Sequence, residues 1–205
     1  PATSSSNELE RSDQFLISSS PGVIIDSGLT LVTHVSIVAR NCFYQLRRIR
    51  QAKKNLDEGS VKTLIQALVL SRLDYCNSIL SNLPDVTLAP LVRVQHSAAR
   101  LIRNLKRQDP VLPLMMELHW LPLRSRITFK LCVLMHGVHY GTGPKYMKEL
   151  VTPNSSLPGR ERLRSAATMN YDIERTKLNF GERSFAVSGP TAWNTLPPCL
   201  KDPNK

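Results

Sequence analysis

Asp74 is the first candidate for chemistry in this sequence, because it lies in a polar block inside the apolar stretch LVLSRLDYCNSIL at residues 68–80. Nucleotide polymerisation needs clustered carboxylates that hold two metal ions. The sequence contains no Asp-Asp pair. The candidate aspartates fall in different predicted elements: Asp26, Asp57, Asp74 and Asp85. We therefore interpret Asp74 as a structural residue that pairs with a basic side chain of a neighbouring helix or with a helix end. Tyr75 is expected to pack with its hydroxyl hydrogen-bonded.

Cys132, His136 and His139 form a second candidate, because spacings of four and three residues place them on one face of a helix, where they could converge on a metal ion. They lie in an apolar stretch without a nearby carboxylate, which favours packing over metal binding. The sequence also lacks a Gly-rich phosphate loop and a Gly-x-Ser-x-Gly nucleophile motif. It therefore predicts no catalytic residue, no metal site and no cofactor in this chain.

The four cysteines are far apart in the sequence and form no Cys-x-x-Cys pair, so a zinc ribbon or knuckle is not indicated. Each is interpreted as a small buried apolar residue in a reducing compartment. They are Cys42, Cys76, Cys132 and Cys199. No apolar run reaches the roughly 20 residues of a membrane helix, and the first residues lack the pattern of a signal peptide.

Charge is the strongest compositional signal, with 27 Lys and Arg against 16 Asp and Glu and a net charge of +11. Residues 1–30 are acidic, with Arg11 as their one basic residue, so the remaining chain is more basic than the total suggests. A helical body of this charge favours a polyanionic partner, most often nucleic acid. The alternative is a solvated basic surface without a ligand.

The elements that would position these charges are predicted to be mainly helical. Residues 33–56 form the first helix, with Thr33 as N-cap, Gly59 closing the run, and one apolar stripe. The stripe consists of Val35, Val38, Cys42, Leu46 and Ile49. No acid occurs among residues 34–56, so the other faces are basic through Arg40, Arg47, Arg48, Arg50, Lys53 and Lys54.

A second helix is predicted at 60–83, with Ser60 as its cap, and a third at 91–107, after Pro90. Short helices are predicted in 111–122 and in 143–151, and a longer one begins after Pro122. In the helix at 91–107, Arg93, Arg100 and Arg107 share a face at a spacing of seven. Before the helices, Val23-Ile24-Ile25 is a short strand that ends in a turn at Asp26-Ser27-Gly28. In the C-terminal segment, LRSAAT and RTKLNF are possible strands, and SGPTAWNTLP is interpreted as a capped turn anchored by Trp193.

Seven blocks in a fixed order resemble the C-terminal end of reverse transcriptases from non-LTR, LINE-type retrotransposons of the jockey and chicken-repeat group. The blocks are PGVIIDSGLTLVTHV, SRLDYCNSIL, VQHSAARLI, LHWLPLRSRITFKLCVLMH, GPKYMKEL, RLRSA and GERSFAVSGPTAWNTLP, and they span residues 21–197. SRLDYCNSIL at 71–80 is the most diagnostic. The order of the blocks makes the resemblance specific.

The resemblance implies four regions: the end of the palm at 1–30, a basic helical thumb-like bundle at 31–109, a helical C-terminal segment at 110–151, and a linker with an irregular tail at 152–205. The fingers and most of the palm, with the Asp-Asp catalytic turn and its Mg ions, would precede residue 1. By this resemblance the chain is the C-terminal part of an RNA-directed DNA polymerase. Its implied partners are an RNA–DNA or DNA template–primer and the upstream palm and fingers of the same polyprotein, with no membrane, and its implied location is intracellular, in nucleus and cytoplasm.

A thumb binds the phosphates and minor groove of a duplex without reading its sequence, so a basic outer face is what it needs. The predicted phosphate contacts are Arg47, Arg48, Arg50, Lys53, Lys54, Arg100, Arg103 and Arg107. Tyr44 could stack on a base or sugar, although packing is favoured. The alternative hypothesis is a decayed or co-opted helical interaction module without catalytic activity, in which Leu68, Leu73 and Leu80 meet a protein partner.

Overall fold

The computed structural model describes residues 19–20, 22–159, 168–178 and 180–202, and these residues are mainly helical, as the sequence predicts. The chain divides into two compact units, the first within residues 1–72 and 86–104 and the second within residues 73–85 and 105–205. The first unit contains most of the predicted phosphate contacts. The second contains Asp74 and the long helix after Pro122.

The first unit begins with a two-stranded antiparallel hairpin, in which β1 (Ser19–Ser20) pairs with β2 (Val23–Ile24). The turn that follows is held by Asp26, whose carboxylate accepts hydrogen bonds from the backbone N–H groups of Thr30 at 2.9 Å and Leu31 at 2.7 Å. Burial raises the pKa of this carboxyl, but the donors from Thr30 and Leu31 outweigh that effect and hold it below its usual value. The predicted strand and turn are confirmed.

Helix α1 (Val32–Ala52) buries one stripe of side chains that includes four of the predicted positions, Val35, Cys42, Leu46 and Ile49. Its N-cap is Leu31 rather than Thr33, because Asp26 already binds the backbone N–H groups that precede the helix. The helix passes into a 3-10 turn at Lys53–Asn55. Gly59 therefore does not close it and lies instead in α2 (Glu58–Ile65).

The predicted continuous helix at 60–83 is wrong. Helix α2 is capped by Asp57, which accepts from the Ser60 backbone N–H at 3.1 Å. It continues as a π-helix at Gln66–Leu70 and as α3 (Ser71–Asp74). Cys76 then has a φ of 50°, in the left-handed region that an α-helix cannot contain, and a 3-10 turn follows at Asn77–Leu80.

Helix α4 (Asp85–Arg103) differs from the predicted helix at both ends. It begins at Asp85, before Pro90, so the proline lies inside the helix in its second turn instead of preceding it. It ends where Asn104 adopts a φ of 55°, a conformation typical of helix C-termini. Arg107 consequently lies in a turn, and its predicted place on the face of Arg93 and Arg100 is wrong.

The second unit contains the predicted helices α5 (Leu112–Glu117), α6 (Leu123–His139) and α7 (Lys145–Glu149), with short 3-10 turns at Asn154–Ser156 and Gly181–Arg183. The first seven residues of SGPTAWNTLP belong to a helix, α8 (Phe185–Asn194), rather than to a turn, and α9 (Pro198–Lys201) follows. Residues 175–178 form no strand. The possible strand at LRSAAT lies outside the described residues apart from Thr168.

Trp193 anchors this part of the chain, as predicted. It is 1% exposed and belongs to an apolar cluster with Met135, Val138, Met147, Val151 and Tyr171. Helix α8 approaches α6 closely at Gly189, where an added Cβ would lie 3.0 Å from the Met135 sulfur. Trp193 Nε1 donates to the Met169 carbonyl at 2.8 Å, so the indole satisfies its one polar group inside the cluster.

Candidate nucleic-acid interface

The exposed face of α1 is basic from Arg40 to the C-terminal end of the helix. Burial of the stripe fixes the opposite side of the helix toward solvent, and Arg40, Tyr44, Arg47 and Arg48 occupy that side at helical spacing. All four side chains are exposed, and α1 contains no acidic residue that could neutralise the arginines. We call these four residues the α1 face. Arg40 was missing from the predicted contacts, although its spacing of four, seven and eight residues from the others identifies it.

Tyr44 lies in the middle of the α1 face and is 56% exposed. The interpretation that it packs is therefore wrong. The Arg48 guanidinium carbon lies 5.9 Å from the centroid of the Tyr44 ring, near the outer limit of a cation–π contact. An exposed aromatic ring between guanidinium groups offers a stacking surface next to phosphate ligands, which is a combination that nucleic-acid-binding surfaces use.

Arg50 and Lys54 are exposed close to the C-terminal end of α1, as predicted. Arg50 lies on the last turn of the helix, and Lys54 lies in the 3-10 turn that continues it. Together with the three arginines of the α1 face they give five exposed cations on one continuous helical segment. Their positive charge is concentrated, because residues 34–56 contain no carboxylate.

Lys53 has a structural role instead of the predicted phosphate contact. Its Nζ atom donates to the carbonyl oxygens of Leu101 at 2.5 Å and Ile102 at 2.8 Å, and to Oδ1 of Asn104 at 2.7 Å. Three acceptors match the three N–H groups of an ammonium. They belong to the end of α4, where a cation also interacts favourably with the helix dipole. Burial lowers the pKa of Lys53, and the nearby Glu58 carboxylate opposes that effect.

Lys53→Met is expected to lower the free energy of unfolding by about 1–2 kcal/mol, because it keeps the aliphatic chain but leaves the α4 carbonyls without their donor. Lys54→Met is the matched control, since it removes the same charge from an exposed neighbour. Urea denaturation of both variants provides the measurement. Equal stability of the two variants would contradict the capping role.

The remaining predicted contacts, Arg100, Arg103 and Arg107, differ in exposure, in pairing and in the unit to which they belong. Arg103 is exposed but pairs with Glu58, with its Nη1 atom 3.0 Å from the carboxylate. Arg100 is half-buried on α4, where it contributes to lowering the pKa of His96 after the larger effect of burial. Arg107 is exposed in a turn of the second unit. The candidate interface therefore consists of the α1 face with Arg50 and Lys54, and Arg103 is a weaker candidate because of its ion pair.

Asp74 pairs with Arg126 of α6 inside the second unit. Arg126 Nε donates to Asp74 Oδ1 at 2.8 Å, and Arg126 Nη2 donates to Oδ2. The Arg126 side chain is only 17% exposed, so the bidentate pair is partly shielded from solvent. This confirms that Asp74 binds a basic side chain of a neighbouring helix. Tyr75, in contrast, is 52% exposed, so its ring is not buried in the core.

The cysteine and histidine predictions have mixed outcomes. Cys42 is buried, and burial raises the pKa of its thiol to about 11, whereas Cys199 is exposed, contrary to prediction. His139 Nδ1 lies 3.0 Å from the Tyr171 hydroxyl, and its ring lies against Trp193 with 5.2 Å between centroids. Cys132 Sγ lies 3.7 Å from the Ala192 carbonyl oxygen. These contacts confirm packing for Cys132 and His139.

Leu73 and Leu80 are 1% and 4% exposed, so the apolar surface that the alternative hypothesis assigned to Leu68, Leu73 and Leu80 does not exist. Leu68 is half-buried in the π-helix. A protein partner of this chain would have to use another surface.

In the part of the chain that the structure describes, no group of three or more His, Cys, Asp or Glu side chains is arranged to hold a metal ion. Within the same ranges, none of the helices combines the length and apolarity needed to cross a membrane. Comparison of the chain with protein-family models, curated proteins and solved structures finds no match.

Proposed function

We propose that this chain binds the sugar–phosphate backbone of a template–primer duplex through the α1 face, as a thumb-like part of a LINE-type RNA-directed DNA polymerase. The observation that carries the proposal is the acid-free run of exposed cations on α1 and the turn that follows it: Arg40, Arg47, Arg48, Arg50 and Lys54. The ordered sequence blocks support the polymerase assignment. The chain contributes binding, and the Mg ions and catalytic carboxylates belong to the palm.

A rigid helix that carries cations on one side, with Arg47 and Arg48 two turns after Arg40, can contact several phosphates along one groove. The buried stripe on the opposite side holds the helix in place, so little side-chain ordering beyond the arginines is needed on binding. Tyr44 offers an apolar contact for a sugar or base between those phosphates. Arginines can bind phosphates without reading the base sequence, which suits a duplex recognised mainly by backbone and shape.

The affinity for a blunt RNA–DNA hybrid is expected to fall steeply with salt. Four or five phosphate contacts predict a slope of log affinity against log salt of roughly −3.5 to −4.5. Fluorescence anisotropy at several salt concentrations measures the slope. A mixed-sequence hybrid of the same length but different base composition serves as the control and should bind equally well.

Two results would count against the proposal. A slope near zero would mean that phosphate contacts do not drive binding, and a strong dependence on base composition would mean that the surface reads sequence. Primer extension by the chain alone with Mg would also contradict the division of roles, because the proposal assigns the chain binding without catalysis.

A further inference from the structure

A pocket in the second unit is lined by side chains from two of the sequence blocks, SRLDYCNSIL and LHWLPLRSRITFKLCVLMH. Its volume is about 300 Å³, which is at the lower end of the range for small-molecule sites. The Asp74–Arg126 pair forms part of its wall. The other lining residues are Asn77, His119, Leu121, Phe129 and Lys130.

The apolar part of this pocket is exposed to solvent. Phe129 is 60% exposed and Leu121 is 47% exposed, and both line the pocket. Phe129 lies on α6, so its backbone is fixed. An aromatic ring on a rigid helix at the edge of a pocket provides a flat surface on which a planar ligand can stack.

The charged side chains that line the pocket have a net positive charge. Asp74 is the only acid among the described residues that line the pocket, and Arg126 already binds it in a bidentate pair. Lys130 and His119 are exposed at the same pocket. The ammonium of Lys130 therefore leaves the pocket with one positive charge outside the ion pair, and His119 adds a ring N–H, which together favour an anionic group beside the planar one.

Asn77 adds a polar group whose orientation is fixed. Its Nδ2 lies 3.5 Å from the Asp74 carboxylate, and the opposite amide orientation would direct an oxygen at that carboxylate. Asn77 Oδ1 is buried, and no described residue donates to it. This oxygen would accept an N–H group only from a ligand whose entry moves the Asn77 side chain enough to expose it to the pocket.

We propose that this pocket binds one unpaired nucleobase of a nucleic-acid strand, stacked on Phe129, with the adjoining phosphate at Lys130 and His119. A base combines the planar ring, the N–H donors and the neighbouring negative charge that the lining residues favour. An acidic peptide would meet the cations but would make less use of the exposed ring. The inference rests on the proposed function, because it assumes that the chain binds nucleic acid, but it concerns a different unit and an unpaired strand.

The test compares a blunt RNA–DNA hybrid with the same hybrid extended by a short unpaired overhang. The overhang is expected to increase the affinity about tenfold, within the range for one stacked base. Phe129→Ala should abolish this gain without changing the affinity for the blunt hybrid, and Phe129→Tyr should retain the gain. Tyr146→Ala is the matched control, because Tyr146 is a 66% exposed aromatic residue of α7 that does not line the pocket.

Photo-cross-linking identifies the contact directly. With 5-iodouracil in the overhang, the cross-link is expected in the tryptic peptide at residues 127–130, which ITFK identifies and which contains Phe129. Cross-linking confined to other peptides would overturn the pocket assignment.

The two proposals fail in different ways. If the blunt hybrid binds well but the overhang adds no affinity, the pocket assignment is refuted and the role of the α1 face is not affected. The same holds if the overhang increases the affinity and Phe129→Ala does not remove that increase. Phe129-dependent binding of the single strand, with no binding of the blunt hybrid, would support the pocket and refute the proposed function. Binding of an acidic peptide that displaces the overhang strand without Phe129 dependence would also overturn the pocket.

Discussion

Trp193→Ala is expected to lower the free energy of unfolding of the second unit by about 3–5 kcal/mol. The indole is 1% exposed in its cluster, so alanine leaves a cavity between α6 and α8. The same change deprives the Met169 carbonyl of the donor that lies 2.8 Å away. Both losses lower the free energy of unfolding, because the cavity removes packing contacts and the carbonyl loses its hydrogen-bond donor.

Urea denaturation followed by far-ultraviolet circular dichroism measures this effect. With an m value of about 2 kcal/mol/M, the midpoint should fall by more than about 1 M. Trp193→Phe should lose less, because most of the ring remains and only the Nε1 hydrogen bond disappears. Leu200→Ala is the exposed control, since Leu200 is 62% exposed. A midpoint of Trp193→Ala equal to that of the control would contradict the anchoring role.

The periodicity of the sequence predicts the parts of the fold that depend on local pattern. The buried stripe of α1 follows from apolar residues at steps of three and four, and the solvent-facing arginines then follow because they lie opposite that stripe. Helix α6 is predicted for the same reason, and prolines and glycines mark the boundaries of the short helices beside it. Even Arg40, which the list of contacts omitted, is recoverable from its spacing to Arg47 and Arg48.

The sequence does not predict partners that are distant in the chain. Lys53 and Lys54 are the same residue type at adjacent positions, and only the position of α4 decides that one caps a helix while the other is exposed. Arg103 likewise pairs with Glu58, 45 positions earlier. Hydrophobic pattern distinguishes buried from exposed positions, but it does not distinguish a free cation from one that tertiary structure has bound.

The predicted helix boundaries are wrong where a non-glycine residue adopts a left-handed backbone conformation. Cys76 and Asn104 both do so, and each ends a helical run that the apolar pattern would continue. The sequence gives a weak signal at Asn104, because asparagine tolerates this conformation, and none at Cys76. The pocket around Phe129 depends on the break at Cys76, since it places Asn77 in a 3-10 turn rather than on the continuing helix.

Arg47→Ala/Arg48→Ala is expected to weaken binding to the blunt RNA–DNA hybrid by about 10- to 30-fold at low salt, or about 1.4–2 kcal/mol. The two residues are adjacent, exposed and without an acid in their helix. Loss of two phosphate contacts should also reduce the magnitude of the salt slope by about 1.8. Stability should change by less than about 0.5 kcal/mol, because neither side chain is buried.

The matched control is Lys145→Ala/Lys148→Ala, which removes two exposed charges from α7 in the other unit. It changes the net charge equally but removes nothing from the α1 face, so it should retain most of the affinity and the full slope. If both double variants weaken binding to the same extent, net charge rather than a particular surface drives the interaction. If only the α1 variant loses both affinity and part of its salt slope, the lost contacts are phosphate contacts of this helix. Lost packing or folding would instead lower the affinity without reducing the number of counterions released on binding.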